Sequence, residues 1–98
     1  MATIKWFSGG SERQQEASAL IKTLLIDLQA DAHTMPLQTV LRSYEKELKE
    51  ARLSIPFILS RMNMAIATVL AEQDLLLSKE QSQQLQALRS LSHIKYGY

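Results

Sequence analysis

Apolar residues return every three or four positions in four stretches of this chain, and polar residues fill the gaps. In the first stretch Ala17, Leu20, Ile21, Leu24, Leu25 and Leu28 share one face of a 3.6-residue period. In the second the face is Leu37, Val40, Leu41, Tyr44 and Leu48. The third carries Ile55, Ile58, Leu59, Met62, Ile66, Val69 and Leu70, widened by Phe57, Met64 and Ala65. It is the most apolar of the four and is expected at the centre of the fold. The fourth is leaner, with Leu85, Leu88 and Leu91 leading into Ile94.

Local signals set the ends. Ser11 opens an S-x-x-Q capping box with Gln14, and Gly9-Gly10 breaks the chain just before it. The first pattern fades at Asp31-Ala32-His33-Thr34. Pro36 suits the first turn of the second helix, whose wet side carries Glu45, with Lys49 four residues on as a favourable ion pair. Ser54 caps the third helix ahead of Pro56, and the pattern ends around Gln73-Asp74. Ser78 and Gln81 form a second S-x-x-Q box. The predicted helices span about 12–32, 37–52, 55–73 and 79–93, followed by a tail at 94–98. Short connections force antiparallel neighbours, so the fold class is all-α: a single domain over residues 1–98, an up-down-up-down four-helix bundle with short N-terminal and C-terminal tails.

Composition narrows the chemistry. The absence of Cys excludes disulfides, thiol nucleophiles and thiolate metal sites, and fits a reducing compartment. Lys5 is followed by the apolar pair Trp6-Phe7 alone, too short for a signal peptide. The longest apolar candidate, Met62 to Leu70, is interrupted by Asn63 and Thr68 and falls short of the ~18 residues that suggest a membrane span. A soluble, cytoplasmic protein is expected. The net charge of +1, from 11 basic and 10 acidic residues, argues against a nucleic-acid binder. Residues 1–50 are slightly acidic and residues 51–98 slightly basic, a small asymmetry that reads as a solvated surface.

No catalytic or metal constellation emerges. His33 and His93 lack a ligand partner four residues away, and the carboxylates Glu45, Glu47, Glu50, Asp27 and Asp31 look like solvated helix faces. No Glu-x-x-His motif of a di-iron bundle occurs, and Gly9-Gly10 is not followed by the Lys-Ser/Thr of a phosphate loop. The chain is therefore read as a non-enzyme with no cofactor and no metal. Met62 reads as core filler, with Met64 off the main stripe. Trp6 and Phe7 are expected to fold back and cap one end of the core. Arg61 and Asn63 stand beside the third apolar stripe, and Tyr96 and Tyr98 flank Gly97 at the end of the chain, where amphipathic rings make effective interface anchors.

Three segments together resemble a known family: Lys5-Trp6-Phe7-Ser8-Gly9-Gly10, Leu59-Ser60-Arg61-Met62-Asn63 and Ile94-Lys95-Tyr96-Gly97-Tyr98. In order and spacing they resemble the pediocin-like (class IIa) bacteriocin immunity proteins, in the subgroup that includes those for mundticin, sakacin P and piscicolin. The resemblance covers the whole chain. It implies a small cytosolic four-helix bundle that protects a producing cell from its own antimicrobial peptide. Its partner would be the membrane-embedded mannose permease components in complex with the bacteriocin, bound from the cytosolic side so that the pore is blocked. Strong binding to free bacteriocin is not expected, nor is binding to nucleic acid. The protein is expected as a monomer, in the cytoplasm and in part at the inner face of the membrane through weak peripheral association. In the family the C-terminal half largely decides specificity, which implies Arg61, Asn63, Arg89, His93, Lys95, Tyr96 and Tyr98 as recognition residues here. The rival reading is a generic bundle adaptor, or an antitoxin-like protein that sequesters a soluble partner.

Overall fold

Heptad-like spacing becomes four helices in the computed structural model, which describes residues 9–91, with side chains from Glu12 onward. They are α1 (Gly9–Leu28), α2 (Met35–Glu50), α3 (Ile55–Gln73) and α4 (Lys79–Ser90), with a single 3-10 turn at Ala32–Thr34 between α1 and α2. No strand occurs among the described residues. Ala17, Ile21, Leu24 and Leu28 of α1, Leu37, Leu41 and Leu48 of α2, and Leu59, Met62 and Ile66 of α3 are fully buried, with Leu85 and Leu88 of α4 closing the core. Each Leu, Ile or Met among them contributes roughly 1.5–3 kcal/mol on burial, and Ala17 less.

The α1–α2 connection is fixed by buried polar groups. The carbonyl of Leu28, at the end of α1, accepts from Asp31 N at 2.9 Å and from Gln38 Nε2 at 3.0 Å. The Thr34 hydroxyl lies 2.9 Å from the same carbonyl and 2.7 Å from Asp31 O. With one hydrogen it donates to one of them at a time. Gln38 Nε2 also reaches Thr34 Oγ1 at 3.0 Å. A helix end leaves carbonyls without intrahelical partners, and here two buried side chains satisfy one of them. This stops α1 at Leu28, short of the predicted 32, and starts α2 at Met35.

The other caps follow the sequence. Ser54 accepts from Phe57 N at 3.4 Å. Ser78 and Gln81 form the reciprocal box, Gln81 N to Ser78 Oγ and Ser78 N to Gln81 Oε1, both 3.0 Å. α2 and α3 end with Ala51 and Asp74 in the left-handed region, each at φ 49°. Asp tolerates that region better than Ala, which incurs the full Cβ clash.

Four expectations are corrected. Ser11 does not begin α1, because Gly9 and Gly10 are already helical. Glycine's cost is greatest in a helix interior, and these two occupy the first turn. α3 is not central. α1 packs along both α2 and α4 and also touches α3, whereas α3 leans on α2 and barely meets α4. Glu45 does not pair with Lys49 along α2 but points across to Lys22 of α1, 4.0 Å away. Finally, α3 at 19 residues is long and apolar enough, by length and composition, to cross a membrane. Asn63 and Thr68 interrupt the apolar run without lowering the whole helix below that mark. In the bundle, its Ile55-Ile58-Leu59-Met62-Ile66 face is instead in the core.

Antiparallel order puts the start of α1, the end of α2, the start of α3 and the end of α4 at one pole. The described chain therefore starts and stops at the same pole, beside the 51–54 connection. Trp6 and Phe7, expected to cap the core, lie outside the described residues.

Candidate functional site

α3 presents three kinds of face. Its inner stripe is core. Opposite that stripe stand Phe57, Ser60, Met64, Ala67, Thr68 and Ala71, all exposed and uncharged, with exposed Glu72 at their edge in the last turn. Phe57 is 52% and Met64 71% exposed. The outward face of a bundle helix is normally polar and charged, so a largely uncharged face bearing two large apolar groups is a departure from that pattern. The sequence reading had assigned Phe57 and Met64 to a widened core stripe. Their angular position, about half a turn from Ile55, Leu59, Met62 and Ile66, was the available signal that they face outward.

The flanks of α3 carry the polar residues. Arg61 turns toward α2, where its Nη1 lies 2.7 Å from Glu47 Oε1 and its guanidinium sits 5.6 Å from the centre of the Tyr44 ring. Ion pair and ring together hold one orientation, although a partly exposed pair adds only about 0.2–1 kcal/mol. Beside it Leu53, Ile58, Glu47, Glu50 and Arg52 line a recess of about 360 Å³. Asn63 turns the other way, and its Nδ2 donates to the carbonyl of Arg89 at 2.9 Å. That bond spans the seam between α3 and α4 and satisfies a carbonyl in the last turn of α4. Arg89, half-buried, also lines a hollow of about 360 Å³ with Leu70, Leu77 and Leu85.

Of the residues singled out from the sequence, the fold brings Asn63 and Arg89 together across the α3–α4 seam. It sets Arg61 on the opposite flank of α3. His93, Lys95, Tyr96 and Tyr98 lie outside the described residues. His33 is far from all of them, with Nε2 3.2 Å from Leu76 O, joining the two connections at the other pole. No group of three His, Asp or Glu side chains converges among the described residues.

The fold defines a class first: an all-α bundle of four helices, with an exposed face on α3 that bears Phe57 and Met64. Comparison with known proteins then gives the family. Residues 12–93 match the model of the bacteriocin immunity protein family. The chain is 45% identical over 80 residues to an uncharacterized 9.1 kDa protein in the BM1 immunity protein 3′ region of Carnobacterium maltaromaticum, covering 82% of this chain and 99% of that one. Its fold is similar to the solution structure of PisI, with a TM-score of 0.74 and 45% identity over the full length of both chains. It is also similar to the crystal structure of an immunity protein that contributes to the self-protection of bacteriocin-producing Enterococcus mundtii 15-1A. There the TM-score is 0.75 and the identity 38%, over 81% of this chain and 95% of that one. The chain belongs to the bacteriocin immunity protein family.

Proposed function

We propose that this protein protects its cell from a pediocin-like, class IIa bacteriocin. It does so by binding the complex of the peptide with the mannose permease from the cytosolic side and blocking the pore. The observation that carries the reading is the neutral outward face of α3, with Phe57 and Met64 exposed, on a member of an immunity family. An exposed apolar patch rimmed by polar groups suits contact with another protein. Arg61, Asn63 and Arg89 edge that face, and His93, Lys95, Tyr96 and Tyr98 extend the recognition set along the tail. Blocking requires tighter binding to the closed, peptide-loaded receptor than to the open pore, because a ligand shifts an equilibrium only by its differential affinity. The protein acts as a monomer in the cytoplasm, with a weakly associated fraction at the inner membrane face.

Expression in a bacterium sensitive to class IIa peptides tests this directly. Selective resistance to one group of peptides is the expected result, without strong binding to free bacteriocin in buffer. No change in inhibitory concentration against any peptide, with the protein folded and abundant, would instead favour a soluble partner.

A further inference from the structure

A hollow lies away from α3, between α1 and α2. It encloses about 600 Å³ and is lined by Gln14, Gln15, Ser18, Lys22, Arg42, Glu45, Lys46 and Lys49. None of these is apolar. Four cations face one carboxylate, a local surplus of three in a chain whose net charge is only +1. The rest of the molecule is therefore net negative.

The segregation has structural causes. Three carboxylates of these two helices have partners outside the groove. Asp27 of α1 turns to α4, where Gln84 Nε2 reaches it at 3.2 Å. Glu47 turns to Arg61 of α3, and Glu50 lies 3.8 Å from Arg52. Lys46 and Lys49 form no salt bridge among the described residues, and Lys22 meets Glu45 only at 4.0 Å while remaining largely exposed. Arg42 is anchored from below. Gln38, 2% exposed, must turn its NH2 toward the Leu28 carbonyl, an acceptor only. Its oxygen then faces outward and accepts from Arg42 Nη2 at 3.2 Å. Gln14 Nε2 donates to the Leu48 carbonyl, tying the two walls together at one end. The groove is thus a fixed cradle carrying a pre-set guanidinium and three ammonium groups.

We infer that this α1–α2 groove binds an acidic polypeptide segment of a partner protein, separately from the recognition assigned to α3. Arg42, Lys46 and Lys49 fall on successive turns of α2, so Arg42 and Lys46 are roughly 6 Å apart along the axis. Alternate residues of an extended chain are spaced by about 6.6 Å, which sets carboxylates at every second residue opposite successive cations. The cations extend further along α2 than a single phosphate reaches. No lining residue is aromatic, so the bases of a nucleic acid find no stacking platform. A flat headgroup layer would meet the helix crests, whereas these side chains surround a trough.

The test is an NMR titration of the full chain at low salt with a Glu-Gly repeat peptide, alongside sodium phosphate and phosphatidylglycerol vesicles. Shifts with the peptide should concentrate at Gln14, Ser18, Lys22, Arg42, Lys46 and Lys49. Lys46→Glu with Lys49→Glu should weaken binding by at least about tenfold, the neutral Gln pair less, and Lys79→Glu on α4 not at all. All these positions are solvent-exposed, and thermal melts establish that each variant is folded. Shifts spread over every basic residue, or equal binding by the double Glu variant, would overturn the inference. Phosphate alone reproducing the same shifts at the same affinity would overturn it in favour of a single-anion site. Vesicle binding without peptide binding would overturn it in favour of a membrane surface.

Discussion

The two hairpins of this bundle are built differently. α1 and α2 are joined by a buried network in which Thr34 and Gln38 close the end of α1, and the outer groove between them is wholly polar. α3 and α4 barely meet, are stitched at Asn63 and Arg89, and leave a neutral face open on α3. The first hairpin spends its polar side chains on internal order. The second keeps apolar side chains on the outside, Phe57 half-exposed and Met64 more so. Segments that engage a partner are commonly drawn from the less tightly packed part of a fold, which supports placing the proposed receptor contact on α3–α4, apart from the binding proposed for the α1–α2 groove.

The largest effect should come from the core that both hairpins share. Leu24→Ala empties a fully buried site on the central helix and should cost about 2–5 kcal/mol in chemical denaturation, weakening both hairpins together. Gln38→Ala addresses the first hairpin alone. It removes a donor to Leu28 O and the acceptor for Arg42, and should cost about 1–3 kcal/mol. Asn63→Ala is the counterpart in the second hairpin. A loss of about 0.5–1.5 kcal/mol is expected, with amide exchange accelerating in α4 and little changed in α1 and α2. Equal acceleration in all four helices would erase the distinction between hairpins.

Smaller still in stability, and larger in function, is Phe57→Ser with Met64→Ser. Both side chains are exposed, so stability should move by no more than about 0.5 kcal/mol, while protection against the cognate peptide falls sharply. Retained protection would take the outer face of α3 out of the mechanism. The finest adjustment is Ala51→Gly. Relief of the left-handed backbone, less the entropy of glycine, should raise stability by roughly 0.5 kcal/mol and leave protection untouched.

Much of the scaffold was legible in the sequence because helical periodicity and capping are local. The stripe from Ala17 to Leu28, the third helix from Ile55 to Gln73 and the Ser78–Gln81 box could be read directly. What escaped reading was tertiary. Thr34 and Gln38 look like ordinary loop and helix-surface residues, and only the folded chain brings them to the Leu28 carbonyl. Gly9 and Gly10 carry a breaker signal that the first turn of α1 overrides. The mixed run from Glu45 to Glu50 reads as an undifferentiated wet surface. A rotation of about 100° per residue sorts it, sending Glu47 to α3 and Lys46 and Lys49 to the groove. By halves of the chain the C-terminal half is the more basic, yet among the described residues Lys22, Arg42, Lys46 and Lys49 gather in one hollow of α1 and α2. The surroundings of the proposed recognition residues were legible only in part. Arg61 and Asn63 were found as polar residues beside an apolar stripe, but their opposite directions and the exposure of Phe57 follow from packing.

That α1 begins and α4 ends at one pole has a mechanical consequence. α1 and α4 lie side by side and antiparallel, and the chain enters the first and leaves the second at the same end. A pull applied through the two ends would therefore load their interface like a zipper, parting contacts a few at a time from that pole inward. If both ends were held on a moving membrane assembly, α4 would peel from α1 at low force while the α1–α2 hairpin stayed closed.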